Sequence, residues 1–229
     1  MILYDKTKLE KLKLKFNNVE TIDVNYSQAY QDMFVLTMLD GKQKGTYLEI
    51  GAFNPTFISN TCLLDKKFGW TGISIDIDAG VGQQFIGTRN CTFVLQNALT
   101  IDYKKLLENN NMPKQIDYLQ LDIEPQANTL SCLKMLPLDE YRFSVITYET
   151  DFYDPGVTRE VSMENREESR QILISHGYEM VVGNLCNVST TDPFEDWYVD
   201  PKVVSPELIQ KLKQSMEYNN TSESFMLNL

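Results

Sequence analysis

The chain has 229 residues, a length that suits one domain with small extensions, and its composition is that of a globular protein. It carries 32 Asp and Glu residues against 21 Lys and Arg residues, which gives a formal net charge of −11. Nucleic acids and anionic membranes attract basic protein surfaces, so this charge predicts that neither is a partner of the protein.

The two ends of the chain are predicted to be appendages of a central domain. Residues 7–16 place leucines among lysines, which predicts a short amphipathic helix. Near the other end, a helix is predicted over 206–217, followed by a loose polar tail beyond Asn219. No apolar run is long enough to cross a bilayer, and no secretory signal is recognisable, so a cytoplasmic location is expected. The predicted segments are an N-terminal helical extension (1–26), a central domain (27–204), and a C-terminal helix with a loose tail (205–229).

Within the central domain, short β-rich runs alternate with helical stretches from residue 45 onward. This alternation favours a parallel sheet covered on both faces, so the predicted fold class is α/β with a doubly wound sheet. Ser27 is predicted to cap a helix over 28–40, and a charged amphipathic helix is predicted over 163–176. The last two strands are predicted to pair as an antiparallel hairpin at the end of the sheet. The predicted strands are 46–50, 72–77, 92–96, 116–123, 143–150, 178–184 and 195–200.

Polar and small residues gather after these strands, at the edge where open α/β sheets bind their ligands. Gly51 would let the backbone turn tightly and approach a ligand closely. The interval from Gly51 to Asp76 fits one βαβ crossover, which places the Asp76 carboxylate where it can accept hydrogen bonds from ribose hydroxyls. The candidates in strand order are Glu49, Gly51, Ala52 and Asn54; Asp76; Asn97 and Ala98; Asp122; and Glu149 and Asp151.

The turn after the first strand separates two kinds of adenosine-bearing ligand. A dinucleotide site needs a G-x-G-x-x-G turn, whose backbone N–H groups hold the pyrophosphate. Here the turn reads G-A-F-N-P, with one glycine, and Glu49 just before it would repel a phosphate. Glu49 suits a cationic ligand, and S-adenosylmethionine carries both a sulfonium and an amino group. Alternatively, Glu49 is solvated or paired with a lysine and does not contact a ligand. For the protein as a whole, the alternative function is that of a nicotinamide-dependent oxidoreductase.

Five blocks occur along the chain in the order that one known family shows. They are SQAYQD (27–32), YLEIGAFNP (47–55), SNT (59–61), GWTGISID (69–76) and IDYLQLDIEP (116–125). Together they resemble the FkbM-type S-adenosylmethionine-dependent methyltransferases. The resemblance implies the Rossmann-like class I fold, a seven-stranded and mostly parallel sheet with an antiparallel last strand, and S-adenosylmethionine as the cofactor. Gln120 departs from the family, which commonly has Lys there, and Pro125 stands where Gly is common.

The resemblance also implies which residues contact the cofactor. Glu49, Gly51 and Ala52 match the family's first cofactor motif, and the two residues after the third strand match the positions beside the adenine. Asp76 matches the acid that binds the ribose, usually Glu in the family, and Asp122 matches the acid of its K-I-D-V-E-G block. The implied cofactor contacts are Gln28, Glu49, Gly51, Ala52, Asn54, Asn60, Asp76, Ile77, Asn97, Ala98 and Asp122.

Methyl transfer to a hydroxyl needs an in-line arrangement of nucleophile, methyl group and sulfur, and a base that removes the proton. Asp122, Glu149 and Asp151 are the candidate catalytic residues, whereas His176 is interpreted as a surface or capping residue. The predicted acceptor is a hydroxyl on a sugar, a glycan or a small molecule. Mg²⁺ bound by the same carboxylates is a weaker alternative, so no metal ligands are assigned. A non-catalytic module that binds an adenosyl ligand is another possible function. A nucleic-acid methyltransferase is disfavoured because the sequence has no N-P-P-Y or D-P-P-Y block.

Overall fold

A computed structural model describes residues 8, 10–150, 152, 158–186, 193–215 and 221–227. These residues form a seven-stranded sheet in the order β3-β2-β1-β4-β5-β7-β6. Strands β1 to β5 pair in parallel, whereas β7 runs antiparallel to both of its neighbours, β5 and β6. The predicted α/β class and the antiparallel last strand are therefore confirmed. The strands are β1 (Thr46–Ile50), β2 (Thr71–Asp76), β3 (Thr92–Leu95), β4 (Gln115–Leu121), β5 (Arg142–Glu149), β6 (Glu179–Cys186) and β7 (Pro193–Val199).

Helices cover both faces of the sheet because alternate strand residues are apolar on each side. Tyr47 and Tyr118 point into one core, with residues of α1 and α2, and Leu48 and Leu119 point into the other, with residues of α4, α5 and α6. None of the helices in the described ranges has the length and hydrophobicity that crossing a bilayer requires. The α-helices are α1 (Gln31–Met38), α2 (Cys62–Phe68), α3 (Ala79–Phe85), α4 (Tyr103–Asn109), α5 (Gln126–Met135), α6 (Arg159–Ser175), α7 (Pro206–Ser215) and α8 (Ser222–Met226).

The helix predicted over 28–40 begins later, at Gln31, because Tyr30 has a left-handed backbone with φ 66°. Ser27 is not the N-cap residue, which is Tyr30, but Ser27 Oγ accepts from the Asp32 N–H in the first turn at 3.4 Å, and the hydroxyl donates to the Asp32 carboxylate at 2.5 Å. That carboxylate also accepts from the backbone N–H groups of Tyr26 and Met33. Asp32 therefore organises the entry to a helix whose eight residues are all buried.

Both ends of the chain differ from the prediction because they pack on each other. Residues 10–16 form turns and bends instead of the predicted helix, and Leu12 pairs with Leu227 in an antiparallel bridge. The tail over 221–227 is not loose: α8 lies there, and its Phe225 ring packs edge-on against Trp197 at 5.7 Å. Burial of these apolar side chains overrides the local polarity that the prediction used.

Candidate active site

A cavity of about 550 Å³ opens beyond the carboxyl ends of β1, β2 and β4. Strand β1 lies between β2 and β4, so the strand order reverses here, and open α/β sheets bind their ligands in such a crevice. The end of β5 and the start of β7 complete its wall through Glu149 and Glu195. The polar strand ends singled out in the sequence thus face one space.

Most of the predicted site residues meet at this cavity. Asn54 is not among the lining residues, and Asp151 lies outside the residues that the structure describes. Gln31, Gln120 and Glu195 line the cavity without having been predicted as site residues. The predicted residues that line it are Gln28, Glu49, Gly51, Ala52, Asn60, Asp76, Ile77, Asn97, Ala98, Asp122 and Glu149.

Asp76 and the loop after β1 are joined by hydrogen bonds. The backbone N–H groups of Gly51 and Ala52 both donate to the carbonyl oxygen of Ile75, each at 3.0 Å. One step further, the N–H of Phe53 donates to Asp76 Oδ2 at 2.9 Å. The two features expected to bind an adenosyl group therefore form one continuous surface of the cavity.

Two asparagines hold loops at this edge of the sheet. Asn54 Oδ1 accepts from the N–H groups of Thr56 and Phe57, and its Nδ2 donates to Gln84, so the side chain is engaged by its own loop and by α3. Asn97 Oδ1 accepts from the N–H of Leu99 and caps a short 3-10 helix, while Asn97 also lines the cavity. The predicted contact with the cofactor thus has geometric support for Asn97 and none for Asn54.

Glu49 is buried beneath the cavity and both of its carboxylate oxygens have partners from the protein. Thr61 Oγ1 donates to Oε1 at 2.7 Å, and Ser74 Oγ donates to Oε2 at 2.6 Å. Burial raises the pKa of Glu49, and the nearby Arg89 guanidinium opposes that shift. Glu49 therefore helps to build the wall of the site, and its predicted contact with a cationic ligand stays a prediction.

Arg89 is a buried cation that was not among the residues selected from the sequence. Its Nε donates to Asp65 Oδ2 at 2.8 Å, and its Nη2 donates to Thr61 Oγ1 at 2.7 Å and to Tyr47 Oη at 3.1 Å. Nη1 donates to the Pro55 carbonyl at 3.0 Å, inside the loop after β1. Arg89 thus connects that loop to the partner of Glu49, and it fixes the position of both.

Three acidic side chains form the floor of the cavity at the ends of β4 and β5 and the start of β7. Burial of the Asp122 carboxyl disfavours its charged form, and a hydrogen bond with Glu149 partly offsets that effect on its pKa. Glu195 lies opposite Glu149 in the β5–β7 register. Burial raises the pKa of Asp122, and burial raises the pKa of Glu195 to about 8, with the Asp122 charge adding to the effect. We call Asp122, Glu149 and Glu195 the acidic floor.

Glu195 is held by one of its two oxygens. Gln31 Nε2 donates to Oε2 at 3.0 Å, and Trp197 Nε1 donates to the same oxygen at 2.7 Å. Gln31 is itself fixed, because its Oε1 accepts from the N–H of Ala29. Gln31, from the block before the first strand, therefore positions an acid that lies 164 residues away in the sequence.

Two buried acceptor atoms at the cavity lack a hydrogen-bond partner within the described part of the chain. They are Asn60 Oδ1 and Gln120 Oε1, whose residues are 8% and 3% exposed. Leaving such an atom unsatisfied costs about 1–3 kcal/mol. A ligand that brings hydrogen-bond donors, such as the ammonium and hydroxyl groups of S-adenosylmethionine, fits this set of acceptors.

Two further expectations concern metal and histidine. Across the ranges that the structure describes, no three His, Cys, Asp or Glu side chains are arranged to hold a metal ion. His176 follows α6 at its C-terminal end, where its Nδ1 lies 2.7 Å from the carbonyl oxygen of Ile172. The interpretation of His176 as a capping residue therefore agrees with the structure.

No protein-family model matches the chain, and no curated protein matches its sequence. Solved structures match it through their fold. A protein described as an rRNA methylase from Clostridium thermocellum is 10% identical, with a TM-score of 0.51 over 78% of this chain and 97% of that one. A fibrillarin/Nop5p complex is 13% identical, with a TM-score of 0.52 over 76% and 81%. An O-methyltransferase from Klebsiella pneumoniae is 17% identical, with a TM-score of 0.50 over 75% and 80%.

The chain has the class I Rossmann-like methyltransferase fold. Its strand order, its antiparallel β7 and these neighbours agree on that point. The neighbours are methyltransferases of several kinds, so the likeness establishes the fold and leaves the acceptor to be argued from the site.

Proposed function

We propose that the protein is an S-adenosylmethionine-dependent methyltransferase of the FkbM type that methylates a hydroxyl on a sugar, a glycan or a small molecule. The observation that carries this proposal is the junction of Asp76 with the loop after β1, through the 2.9 Å bond from the Phe53 N–H. This junction lies at the mouth of the cavity. Two acceptor atoms that line the cavity, Asn60 Oδ1 and Gln120 Oε1, lack donors from the described residues.

The cavity residues fit the parts of the cofactor. Asp76 accepts from two backbone N–H groups, and its remaining lone pairs are available to ribose hydroxyls. The exposed Ile77 side chain and Ala98 supply apolar contact for the adenine. Asn60, beside the loop after β1, supplies a buried acceptor for the ammonium group. When bound, S-adenosylmethionine supplies the activated methyl group.

The acidic floor supplies the group that accepts the hydroxyl proton. The ends of β4 and β5 place Asp122 and Glu149 in the wall of the cavity, beyond the loop after β1. Because burial raises the pKa of Asp122, its carboxylate form is a stronger base than an exposed aspartate and can take the proton of a bound hydroxyl. Asp151, the third catalytic candidate from the sequence, lies outside the described residues.

An RNA acceptor is the second candidate, because the neighbours include an rRNA methylase and fibrillarin. Two features of this chain oppose it. The net charge is −11, and the described residues that line the cavity include no Lys, Arg or His. RNA brings a phosphate at every nucleotide, which such a surface repels. A neutral or cationic small acceptor therefore agrees better with the site.

Titration calorimetry with S-adenosylmethionine tests the proposal. Asp76→Asn removes a charged acceptor of the ribose and should weaken binding by about 1–3 kcal/mol. Asp139→Asn is the matched control, because the Asp139 side chain is 95% exposed and outside the cavity, and it should bind as the wild type does. Transfer of isotope-labelled methyl groups to a panel of sugars then separates an enzyme from a non-catalytic binding module. Absence of binding heat, together with no protection against unfolding, would overturn the proposal.

A further inference from the structure

The cavity offers many hydrogen-bond acceptors and no cationic side chain among the described residues that line it. Asn60 Oδ1 and Gln120 Oε1 are unpaired acceptors within the same lining. Its acidic residues are Glu49, Asp76, Asp122, Glu124, Glu149 and Glu195. A ligand whose polar groups are acceptors, such as a phosphate or a carboxylate, would therefore meet repulsion on every described side.

One acid of the floor, Glu195, differs from Glu49 and Asp76 because donors from the described residues reach only one of its oxygens. Glu49 and Asp76 accept protein hydrogen bonds on both oxygens. In Glu195, both protein donors go to Oε2, and the residue is 3% exposed. Gln120 lies near the carboxyl end of β4 and Asp122 directly follows that strand; both line the cavity, and Gln120 Oε1 has no hydrogen-bond partner among the described residues. The floor thus combines carboxyl groups that can ionise beside a bound cation with an oxygen of Glu195 that faces no donor from the described residues, and Gln120 Oε1 belongs to the same cavity.

We propose that the acidic floor is a cation subsite that receives a protonated amine of the methyl acceptor, so that the acceptor class is an amine-bearing hydroxyl compound such as an amino sugar. This inference rests on the proposed function, because it assumes that the loop after β1 and Asp76 hold the cofactor. An ammonium group donates three hydrogen bonds and carries the opposite charge. It satisfies Gln120 Oε1 and the oxygens of the floor together, which a neutral hydroxyl does only in part.

Two cofactor analogues test this subsite directly. Sinefungin has a protonated amine where S-adenosylmethionine has its transferable methyl group, whereas S-adenosylhomocysteine has nothing there. We expect calorimetry to show sinefungin binding at least about tenfold more tightly, since its amine faces the floor. Glu195→Gln keeps an oxygen for Gln31 and Trp197 but cannot ionise beside a bound cation, so it should abolish most of that ratio. Glu108→Gln, on the exposed face of α4, is the matched control and should keep the ratio.

The outcomes separate this inference from the proposed function. If neither analogue binds, the proposed function fails. If both bind equally well, or if Glu195→Gln leaves their ratio unchanged, the cation subsite alone is overturned. With S-adenosylhomocysteine bound, glucosamine should raise the melting temperature more than N-acetylglucosamine, which has the same ring without the charge. Equal effects of the two sugars, or a larger effect of glucose 6-phosphate, would contradict the assigned acceptor class.

Discussion

The backbone of Gly51 lies against the carbonyl oxygen of Asp122, so closely that a Cβ on Gly51 would stand 1.6 Å from that oxygen. Gly51 has φ +86°, a left-handed conformation that glycine adopts without steric cost. Asp122 in turn donates its N–H to the carbonyl of Ile50 at 3.0 Å. The glycine was predicted to let the backbone approach a ligand, and the structure shows that it also lets the ends of β1 and β4 approach each other.

Gly51→Ala should therefore destabilise the whole fold. The strained backbone costs about 1–3 kcal/mol, and displacement of the β4 end adds about as much again, so we expect a loss of roughly 3 kcal/mol or more in urea unfolding. Gly87→Ala is the control, because Gly87 also has a positive φ, of +73°, but none of the described residues comes within 4 Å of its added Cβ. If both variants lose the same stability, the close contact with Asp122 is not the cause.

Asn60→Leu tests whether the unpaired acceptor serves the cofactor. Leucine has a similar shape and removes an oxygen that has no partner among the described residues, so the stability of the ligand-free protein should not fall. Binding of S-adenosylhomocysteine should weaken by about 1.5–3 kcal/mol, the usual contribution of a hydrogen bond to a charged group.

Asn110→Leu is the control for Asn60→Leu, because we expect it to change stability and not affinity. Its Nδ2 donates to the Leu106 carbonyl at the end of α4, outside the cavity. This variant should lose stability and keep its affinity for S-adenosylhomocysteine. An Asn60→Leu protein that binds S-adenosylhomocysteine as tightly as the wild type would remove Asn60 from the cofactor site.

Arg89→Met should lower the stability of the protein and weaken cofactor binding, although Arg89 does not line the cavity. Removing one partner of a buried ion pair leaves Asp65 without its cation, which costs about 3–5 kcal/mol of stability. The loop after β1 also loses the bond to the Pro55 carbonyl, so affinity for S-adenosylhomocysteine should fall. Arg142→Met breaks a pair with Asp200 that is partly exposed on the arginine side. It should cost less stability and leave binding intact, and equal losses of affinity in both variants would contradict a positioning role for Arg89.

The parts of the fold with strong local signals could be predicted from the sequence. The run over 46–50 was predicted to be a strand, and β1 has the same bounds. It is apolar and ends at a glycine, so its period and its boundary both point to a strand. The residues that follow β1, β2, β3, β4 and β5 could then be placed together, because the carboxyl ends of parallel strands share one edge.

The residues that complete the site could not be predicted because tertiary contacts decide their roles. Arg89 lies in a polar segment before β3, and nothing nearby in sequence shows that the fold buries it beside Asp65. Glu195 stands between Phe194 and Asp196 in a strand whose residues are buried on both faces, so alternation does not assign it a side. Its one usable signal is Trp197, two residues on and therefore on the same face.

The titration of Glu195 should make stability fall as the pH rises. In the folded protein its pKa is about 8, against an ordinary value of 4.5, so the folded state keeps a proton that the unfolded state has already lost. The contribution of this proton to the free energy of unfolding is complete below pH 4.5 and is lost as the pH rises through 8. Burial shifts the pKa of Asp122 and Glu49 in the same direction. Each pKa unit of difference between the folded and unfolded states corresponds to about 1.4 kcal/mol, so Glu195 alone should change the free energy of unfolding by about 5 kcal/mol.

Urea unfolding at intervals between pH 5 and pH 8.5 measures the slope of the unfolding free energy against pH. Glu195→Gln has no proton to lose, and its amide oxygen still accepts from Gln31 and Trp197, so its profile should be markedly flatter. Glu108→Gln changes the same charge on an exposed helix face and should retain the wild-type slope. If the wild-type profile is flat across this range, or if Glu195→Gln runs parallel to it, the Glu195 carboxyl is ionised in the folded protein. The acidic floor would then carry the negative charge of Glu195 at neutral pH even when no cation is bound to it.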